Sequence, residues 1–418
     1  MLIEHPAQTN GHVGTDGYID GRERVQAILD TLVDHASRPL EESAGLPGEW
    51  YTNEALYHLE VERIFKKDWI YVARADELAN PGDWLSFEIA GEPIMLVKGK
   101  DGKIRALSRV CPHRFSDVLA EAEHDHGHGE GFVCPYHAWA FDLEGRMTGA
   151  PLMQRSALFE RERDSYCLTP FATEVWHGFV FVNLDRDAAP LAPRLTDLDE
   201  VIGPYRLDEW RLVERIDWPE SPANWKIVMD NGRECYHHLG AHRESVEPIW
   251  PSHLVDADTN DSRYCFWQRL FVDPKAAVGE EDGHLINPVV FPPLEGLTPF
   301  QRSHYLLLGV YPSMWFAPGP DMMLTARWLP TGPMSHKFDL TISVHESQLD
   351  HPEFDSIIAE SKEWAHQIQA EDSRIVLSIQ RMLKSQLATR KGGAFSHLER
   401  PMWQFQKYMA HRLTGAEV

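Results

Sequence analysis

Hydrophobic positions along the chain change period twice, from helical to alternating and then to a mixture of the two. Val25, Ile28, Leu29, Leu32 and Val33 fall at helical spacing behind Asp20-Gly-Arg-Glu23, which resembles a capping box, and predict a helix ahead of a β-rich region. Leu56, Leu59, Val61, Ile64 and Phe65 predict a second amphipathic helix over residues 53–69. Residues 87–97 are rich in apolar and β-branched side chains, Asp101-Gly102 is a hairpin signal, and 104–110 is the returning strand. Shorter apolar runs at 131–133 and 138–141 are closed by Glu144-Gly145, and 175–184 reads as one strong strand. Asp, Ala and Pro over 185–193 mark a linker.

Beyond the linker a helix is expected around 224–242, followed by strands over 305–311, 322–329 and 338–344. The last alternates cleanly, with Phe338, Leu340, Ile342 and Val344 on one face. Residues 353–386 read as one long helix whose apolar stripe runs Trp364, Ile368, Ile375, Val376, Ile379 and Leu383. No internal repeat appears. A chain of 418 residues has room for two or three domains, and the pattern divides it into a tail and helix (1–46), a β-rich domain (47–185) and a mixed domain (186–418).

Composition acts mainly by exclusion. With 43% hydrophobic and 25% charged residues the chain reads as an ordinary soluble protein. No run approaches a membrane span, and the first twenty residues lack a basic n-region and an apolar h-region, so a cytoplasmic protein without a membrane anchor is expected. A net charge of −24 argues against nucleic acid as a partner.

The chemistry begins with Cys111-Pro-His113 and, twenty residues on, Cys134-Pro-Tyr-His137. Both pairs fall at the tips of predicted hairpins. Two thiolates with two neutral imidazoles are the mixed ligand set of a Rieske 2Fe-2S cluster, which moves single electrons. Structural zinc is the competing reading, weakened by the order Cys-His then Cys-His where zinc fingers usually present Cys-Cys first. Residues 121–130 (EAEHDHGHGE) carry His124, His126 and His128, and their glycines and acids read as a solvated loop insertion. Of the five cysteines, Cys167, Cys235 and Cys265 remain as reduced packing residues.

CPHRF from Cys111 and CPYHAW from Cys134 resemble the Rieske domain of the ring-hydroxylating oxygenase alpha subunits, and the likeness runs from about Trp50 to the segment around Trp403. Phe115-Ser116 departs from the commonest form, in which a glycine often follows the arginine. The resemblance implies an α+β fold, with a β-rich Rieske domain inserted into a helix-grip catalytic domain of antiparallel sheet plus helices.

A second constellation lies in Asn224-Trp-Lys…Glu234-Cys-Tyr-His237-His238-Leu-Gly-Ala-His242. On a helix His238 and His242 share a face, whereas His237 and His242 stand about 140° apart unless Gly240 distorts the turn. The spacing Glu-x-x-His-x4-His is similar to the mononuclear-iron motif of the same oxygenases. That implies His237 and His242 as two imidazoles of a 2-His-1-carboxylate Fe(II) site, with Glu234 as the carboxylate that bridges electron transfer. Glutamate there, where ring dioxygenases usually have Asp, looks more like a branch that includes betaine and other N-demethylating monooxygenases. Asp372 falls on the apolar stripe of the long helix, where a carboxylate is costly unless it is paired or binds a metal. A satisfied Asp beside Arg374 or Lys362 is the plain alternative, and Glu371 lies off the stripe. In the related oxygenases the third ligand is an Asp on a comparable helix, and Asp372 fits.

The resemblance further implies dioxygen activation followed by cis-dihydroxylation of a ring or monohydroxylation of a C–H bond, with an N- or O-methyl group then leaving as formaldehyde. It implies a homotrimer in which His113 or His137 of one subunit faces Glu234 and His237 of the next. No Gly-rich phosphate fingerprint follows a strand, so a separate reductase, possibly with a ferredoxin, is expected to supply electrons. A Rieske electron carrier without oxygenase activity is the alternative. Phe266, Trp267, Phe291, Trp315, Phe316, Met322 and Met323 read mostly as core, although some can line a pocket or cage an ammonium ion. Aromatic and quaternary-amine small-molecule substrates both stay open.

Overall fold

A computed structural model of the protein describes residues 21–257, 260–271 and 290–418. The expected cap Asp20 and the leader reading of the first twenty residues lie outside them. The first ten strands are β1 (Ile70–Arg74), β2 (Asp83–Ile89), β3 (Glu92–Lys98), β4 (Ile104–Ser108), β5 (His126–His128), β6 (Phe132–Val133), β7 (Ala140–Phe141), β8 (Met147–Gly149), β9 (Pro170–Trp176) and β10 (Phe179–Asn183). They form a seven-stranded antiparallel sheet in the order β1-β10-β9-β4-β3-β2-β5 and a small sheet β6-β7-β8.

The continuous apolar run Ile94-Met95-Leu96-Val97 in β3 is buried on both faces. Ile94 and Leu96 enter the main core, while Met95 and Val97 pack beneath the Cys-His loops with Leu107, Phe132, Trp139 and Phe141. The strand's two-residue period thus joins the cluster lobe to the rest of the molecule. β10 repeats the device, with Val180 and Val182 in the main core and Phe179 and Phe181 in a second cluster.

Two single strands expected from the sequence are each a hairpin. Residues 87–97 break at Ala90 (φ 52°) and Gly91 (φ 81°), and 175–184 at His177 (φ 47°) and Gly178 (φ 79°). Paired positive φ values make tight turns whose twist suits the strands. Both turns carry polar, Gly or Pro residues (Gly91-Glu92-Pro93 and His177-Gly178), but the strongly apolar strands that follow dominated the pattern. Gly178 has a second constraint, since a Cβ there would lie 2.5 Å from Arg74 Nη2. The His-rich insertion is also more ordered than a loop: Asp83 pairs with His128, Trp84 with Gly127 and Leu85 with His126, making β5 an edge strand. Gly127 lets it close on Trp84, whose ring a Cβ would meet at 2.5 Å.

The second half builds an antiparallel sheet from β11 (Trp210–Asp217), β12 (Cys265–Phe271), β13 (His304–Val310), β14 (Met314–Pro318), β15 (Met322–Gly332) and β16 (Ser335–His345), ordered β11-β16-β15-β14-β13-β12. The Trp225–Asn231 helix and the long Phe354–Met382 helix pack on this sheet and on each other. The N-terminal Gly21–Ser37 helix lies against the C-terminal Arg400–Thr414 helix. Buried polar contacts tie the halves together: Arg74 Nη2 donates to the Leu207 carbonyl (2.9 Å), and Arg215 bridges Glu77 (2.6 Å) and Asp339 (2.7 Å).

Candidate metal centres

Two loops of like conformation carry the Cys-His pairs. Cys111 N–H donates to Ser116 O and Phe115 N–H to Cys111 O (2.8 and 2.9 Å). Cys134 N–H likewise donates to Trp139 O and Ala138 N–H to Cys134 O (2.8 and 3.0 Å). Each loop turns through a positive φ, 62° at Phe115 and 56° at Ala138. That is why a glycine suits the position Phe115 fills. Both thiols are buried, and burial, with Cys134 adjacent, raises the Cys111 pKa. The His113 and His137 rings stand 4.5 Å apart, and His113 stacks on Trp139 at 4.6 Å. His113 Nδ1 is buried with no partner among the described residues, and burial lowers that ring's pKa. Two buried thiols next to each other and two imidazole rings 4.5 Å apart on paired loops fit the ligand set of a 2Fe-2S cluster.

The second centre is assembled from both sides. His237 precedes and His242 follows a helix of only four residues, His238–Ala241, so the rings converge with centroids 5.1 Å apart. Gly240 does not cause this: its φ is ordinary and a side chain there would meet open space. Asp372 arrives from the Phe354–Met382 helix, and one ligand atom from each of His237, His242 and Asp372 lies within 4.8 Å of the others. Asp372 Oδ1 is 2.9 Å from His242 Nε2 and 3.6 Å from His237 Nε2, and it accepts from Asn231 Nδ2 (3.1 Å). His238 is left out; burial and its two neighbours push its pKa far down and keep it neutral.

Each imidazole has a carboxylate behind it. Glu234 Oε1 lies 2.8 Å from His237 Nδ1 while Oε2 accepts the His237 backbone N–H (2.9 Å). Glu371 Oε2 lies 2.6 Å from His242 Nδ1 and accepts from Ser245 Oγ (2.6 Å). Burial alone would lower the His242 pKa, but the bonds from Asp372 and Glu371 outweigh it and raise it. Nδ1 is thereby tied on both rings and Nε2 faces Asp372, an arrangement that suits a divalent ion. Glu371 was set aside by its place off the apolar stripe, and its partner Ser245 is remote in sequence. Only the Glu371-Asp372 pairing hinted at it.

A cavity of about 160 Å³ opens beside the triad. Its walls carry five tryptophans, Trp218, Trp250, Trp315, Trp328 and Trp364, and no Lys or Arg among the described residues that line it. Of the seven aromatic and methionine candidates only Trp315 lines it; the others belong to or pack against the cores. Gly232 lets the walls close, since a Cβ there would meet Trp315 Nε1 at 3.1 Å and the Trp328 ring at 3.2 Å.

Residues 207–415, half of the chain, match the family model for the ring hydroxylating alpha subunit (catalytic domain). The chain belongs to this family. Residues 68–166 match the Rieske [2Fe-2S] domain, which contains all four residues of the Cys-His pairs and displaces the zinc reading. Among curated proteins, the carnitine monooxygenase oxygenase subunit of Escherichia coli is 37% identical over 209 residues, covering 48% of this chain and 53% of that protein. The glycine betaine monooxygenase oxygenase subunit of Chromohalobacter salexigens is 33% identical over 218 residues, covering 52% and 46%. The chain therefore spans about half the length of the curated relatives it matches. A solved quaternary ammonium Rieske monooxygenase concerned with carnitine oxidation by gut microbiota is 26% identical, with a TM-score of 0.74 over 91% of this chain and 98% of that one.

Proposed function

We propose that this protein is the terminal oxygenase component of a monooxygenase acting on a small quaternary or N-methyl ammonium compound. The observation that carries the reading is the cavity: aromatic walls with no basic side chain among the described residues that line it, beside the carboxylates of Asp372 and Glu234. Such walls attract an alkylated ammonium through ring faces. His237, His242 and Asp372 would hold a ferrous ion, which would supply dioxygen activation, and Cys111, His113, Cys134 and His137 would hold a Rieske cluster, which would supply electrons singly. The protein's own residues do the rest. Glu234 and Glu371 fix the two imidazoles, and the tryptophans exclude water and hold the ammonium so that an adjacent C–H bond faces the triad. An N-methyl carbon hydroxylated there leaves as formaldehyde.

Electrons come in this reading from a separate reductase, with or without a ferredoxin, in the cytoplasm. Among the described residues no helix is long and apolar enough to cross a membrane. Large apolar side chains are exposed near both centres: Phe115, Val133 and Tyr136 by the cluster loops, Tyr236 and Leu239 beside Glu234. Exposed apolar surface of this kind marks an interface. A homotrimer that brings one subunit's His113 or His137 to Glu234 of the next accounts for it, and inter-subunit electron transfer is described for the similar carnitine-oxidising enzyme. The test is oxygen uptake coupled to a reductase, screened over betaines, N-methyl amines and aromatic acids with formaldehyde measured. Uptake with stoichiometric formaldehyde from an ammonium compound is expected; coupled turnover of aromatic acids alone would overturn the reading.

A further inference from the structure

His124, His126 and His128 stand at every second position on and just ahead of the edge strand β5, and neither metal centre uses them. His126 and His128, two apart on an extended strand, share a face. The His124 ring stacks on that of His126, with centroids 5.6 Å apart and planes within 17° of parallel. That separation is close to the 5.1 Å between His237 and His242. Two of the three rings also have a carboxylate behind them: Asp125 Oδ1 lies 3.0 Å from His126 Nδ1, and Asp83 Oδ1 lies 2.8 Å from His128 Nδ1. Glu234 on His237 and Glu371 on His242 make the same pairing. It occupies Nδ1, leaves Nε2 for an ion and makes that nitrogen a better donor. Burial would raise the Asp83 pKa, but bonds from Asn80 and His128 hold its carboxyl below the usual range, so a full charge backs the ring. The surroundings are acidic as well. Glu121, Glu123, Asp125 and Glu130 fall within ten residues, and among the described residues only Glu130 has a Lys or Arg partner, Lys100 at 2.9 Å.

We propose that His124, His126 and His128 form a further metal site on the edge of the cluster lobe, for an exchangeable divalent ion of the nickel, copper and zinc class. Imidazole donors suit these ions, whereas magnesium and calcium take oxygen. His124 and His126 supply the first two nitrogens, and His128 follows on the same face. The three nitrogens are not gathered as the triad's ligand atoms are, within 4.8 Å of one another. The His126 and His128 side chains are 65% and 59% exposed, so the rings are free to turn onto an ion and water completes its shell. A site closed by the ion itself binds more weakly than one whose ligands are already in place, which is why the ion exchanges. Nothing in this inference depends on the oxygenase reading.

The test uses the holoenzyme with its cluster oxidised and its iron loaded, as wild type and as the H124N/H126N/H128N triple variant. Asparagine keeps these exposed positions polar and removes the imidazoles, and an unchanged cluster absorption shows that the lobe is folded. Both proteins are dialysed against low-micromolar nickel(II) and analysed for nickel and iron together, so that any exchange at the triad is counted in each. The expected result is about one nickel more per wild-type chain than per variant chain at equal iron content. Copper(II) added below one equivalent gives a second readout, because an oxidised 2Fe-2S cluster is diamagnetic and leaves the copper spectrum clear. Paramagnetic resonance should show splitting from at least two imidazole nitrogens in wild type, and a different signal in the variant. Equal nickel in the two proteins, or the same copper signal in both, overturns the inference.

Discussion

Glu371 Oε2 stands 2.6 Å from His242 Nδ1, on the same helical turn that delivers Asp372 Oδ1 to within 2.9 Å of His242 Nε2. One helix thus holds both nitrogens of a single imidazole. Serine 245 and Gln367 also donate to Glu371, at 2.6 and 3.3 Å, and with His242 they hold its carboxyl below the usual range although burial pushes it up. In the proposed site Glu371 acts as a positioning residue, and removing such a partner typically costs about 10–100-fold in metal affinity. E371A should therefore lose iron on dialysis at chelator concentrations the wild type withstands, while E371Q, which still accepts a hydrogen bond, loses less. Iron analysis with the cluster's visible absorption as internal standard reads the outcome, and equal iron retention in E371A would rule out the positioning role.

Glu234 offers a contrasting test. It grips His237 by ring and backbone from the same chain and is itself 8% exposed. If it links a neighbour's cluster to this imidazole, E234Q keeps both metals and the oligomer but reduces coupled oxygen consumption by at least a hundredfold, about 2.7 kcal/mol. Stopped-flow reoxidation of the reduced cluster should slow in parallel. Reoxidation at the wild-type rate in a metal-replete variant would remove Glu234 from the path.

How much of this was legible follows from what each signal measures. The Cys-His pairs and the Glu-x-x-His-x4-His run are local, so spacing exposed them, and Asp372 showed itself as a charge on an apolar stripe. The choice of His237 over His238 was not readable from a helical wheel, because the helix between His237 and His242 is a single four-residue turn. The Ala90-Gly91 and His177-Gly178 turns did carry a signal, Gly91-Glu92-Pro93 in one and His177-Gly178 in the other, but the strongly apolar strands that follow them, β3 and β10, buried on both faces, outweighed it. Cavity walls were least legible of all: Trp218, Trp250 and Trp364 come from three distant segments, and only folding brings them beside Trp315 and Trp328.

Phe115 sits at φ 62° and is 80% exposed, so its side chain contributes little packing to offset a left-handed backbone. Glycine at 115 removes that strain but gains unfolded-state entropy, and the two effects nearly cancel, leaving F115G within about 1 kcal/mol of wild type. A β-branched residue tolerates positive φ worst, so F115V should fall by more than about 1 kcal/mol. Thermal unfolding with the cluster's absorption as probe ranks the three. A F115V melt that matches wild type would show that the loop does not keep this conformation.

Lys226 and Glu60 form an ion pair at 2.7 Å with side chains 1% and 0% exposed, and Trp225 Nε1 donates to the other Glu60 oxygen at 2.9 Å. This pair anchors the helix that leads into the metal-binding run to the Glu54–Glu60 helix. Breaking it from one side leaves a buried charge alone, which costs about 3–5 kcal/mol, whereas replacing both partners with apolar residues of similar size costs far less. E60Q should melt well below wild type, and E60L with K226M should recover most of the loss. A double variant no better than E60Q would place the energy in the Trp225 hydrogen bond rather than in the charges.

Asp321 is buried at the turn between β14 and β15, and burial raises its pKa to about 6 despite hydrogen bonds from the Phe291 and Val290 amides and Tyr305 OH. Its ordinary value is near 3.8. An acid whose folded pKa lies above its unfolded value binds more protons in the native state. Its stabilising contribution is therefore complete below about pH 4 and is lost as pH rises through 6, a change of about 3 kcal/mol for a shift of this size. D321N has no such proton to lose. Stability measured by denaturant unfolding from pH 4 to 7 should show the wild-type curve falling relative to D321N by that amount, with most of the divergence complete by pH 6.5. Parallel curves would mean that Asp321 ionises normally. Because Tyr305 both donates to Asp321 and lines the cavity, the pH profile of substrate affinity in wild type should depart from that of D321N over the same range.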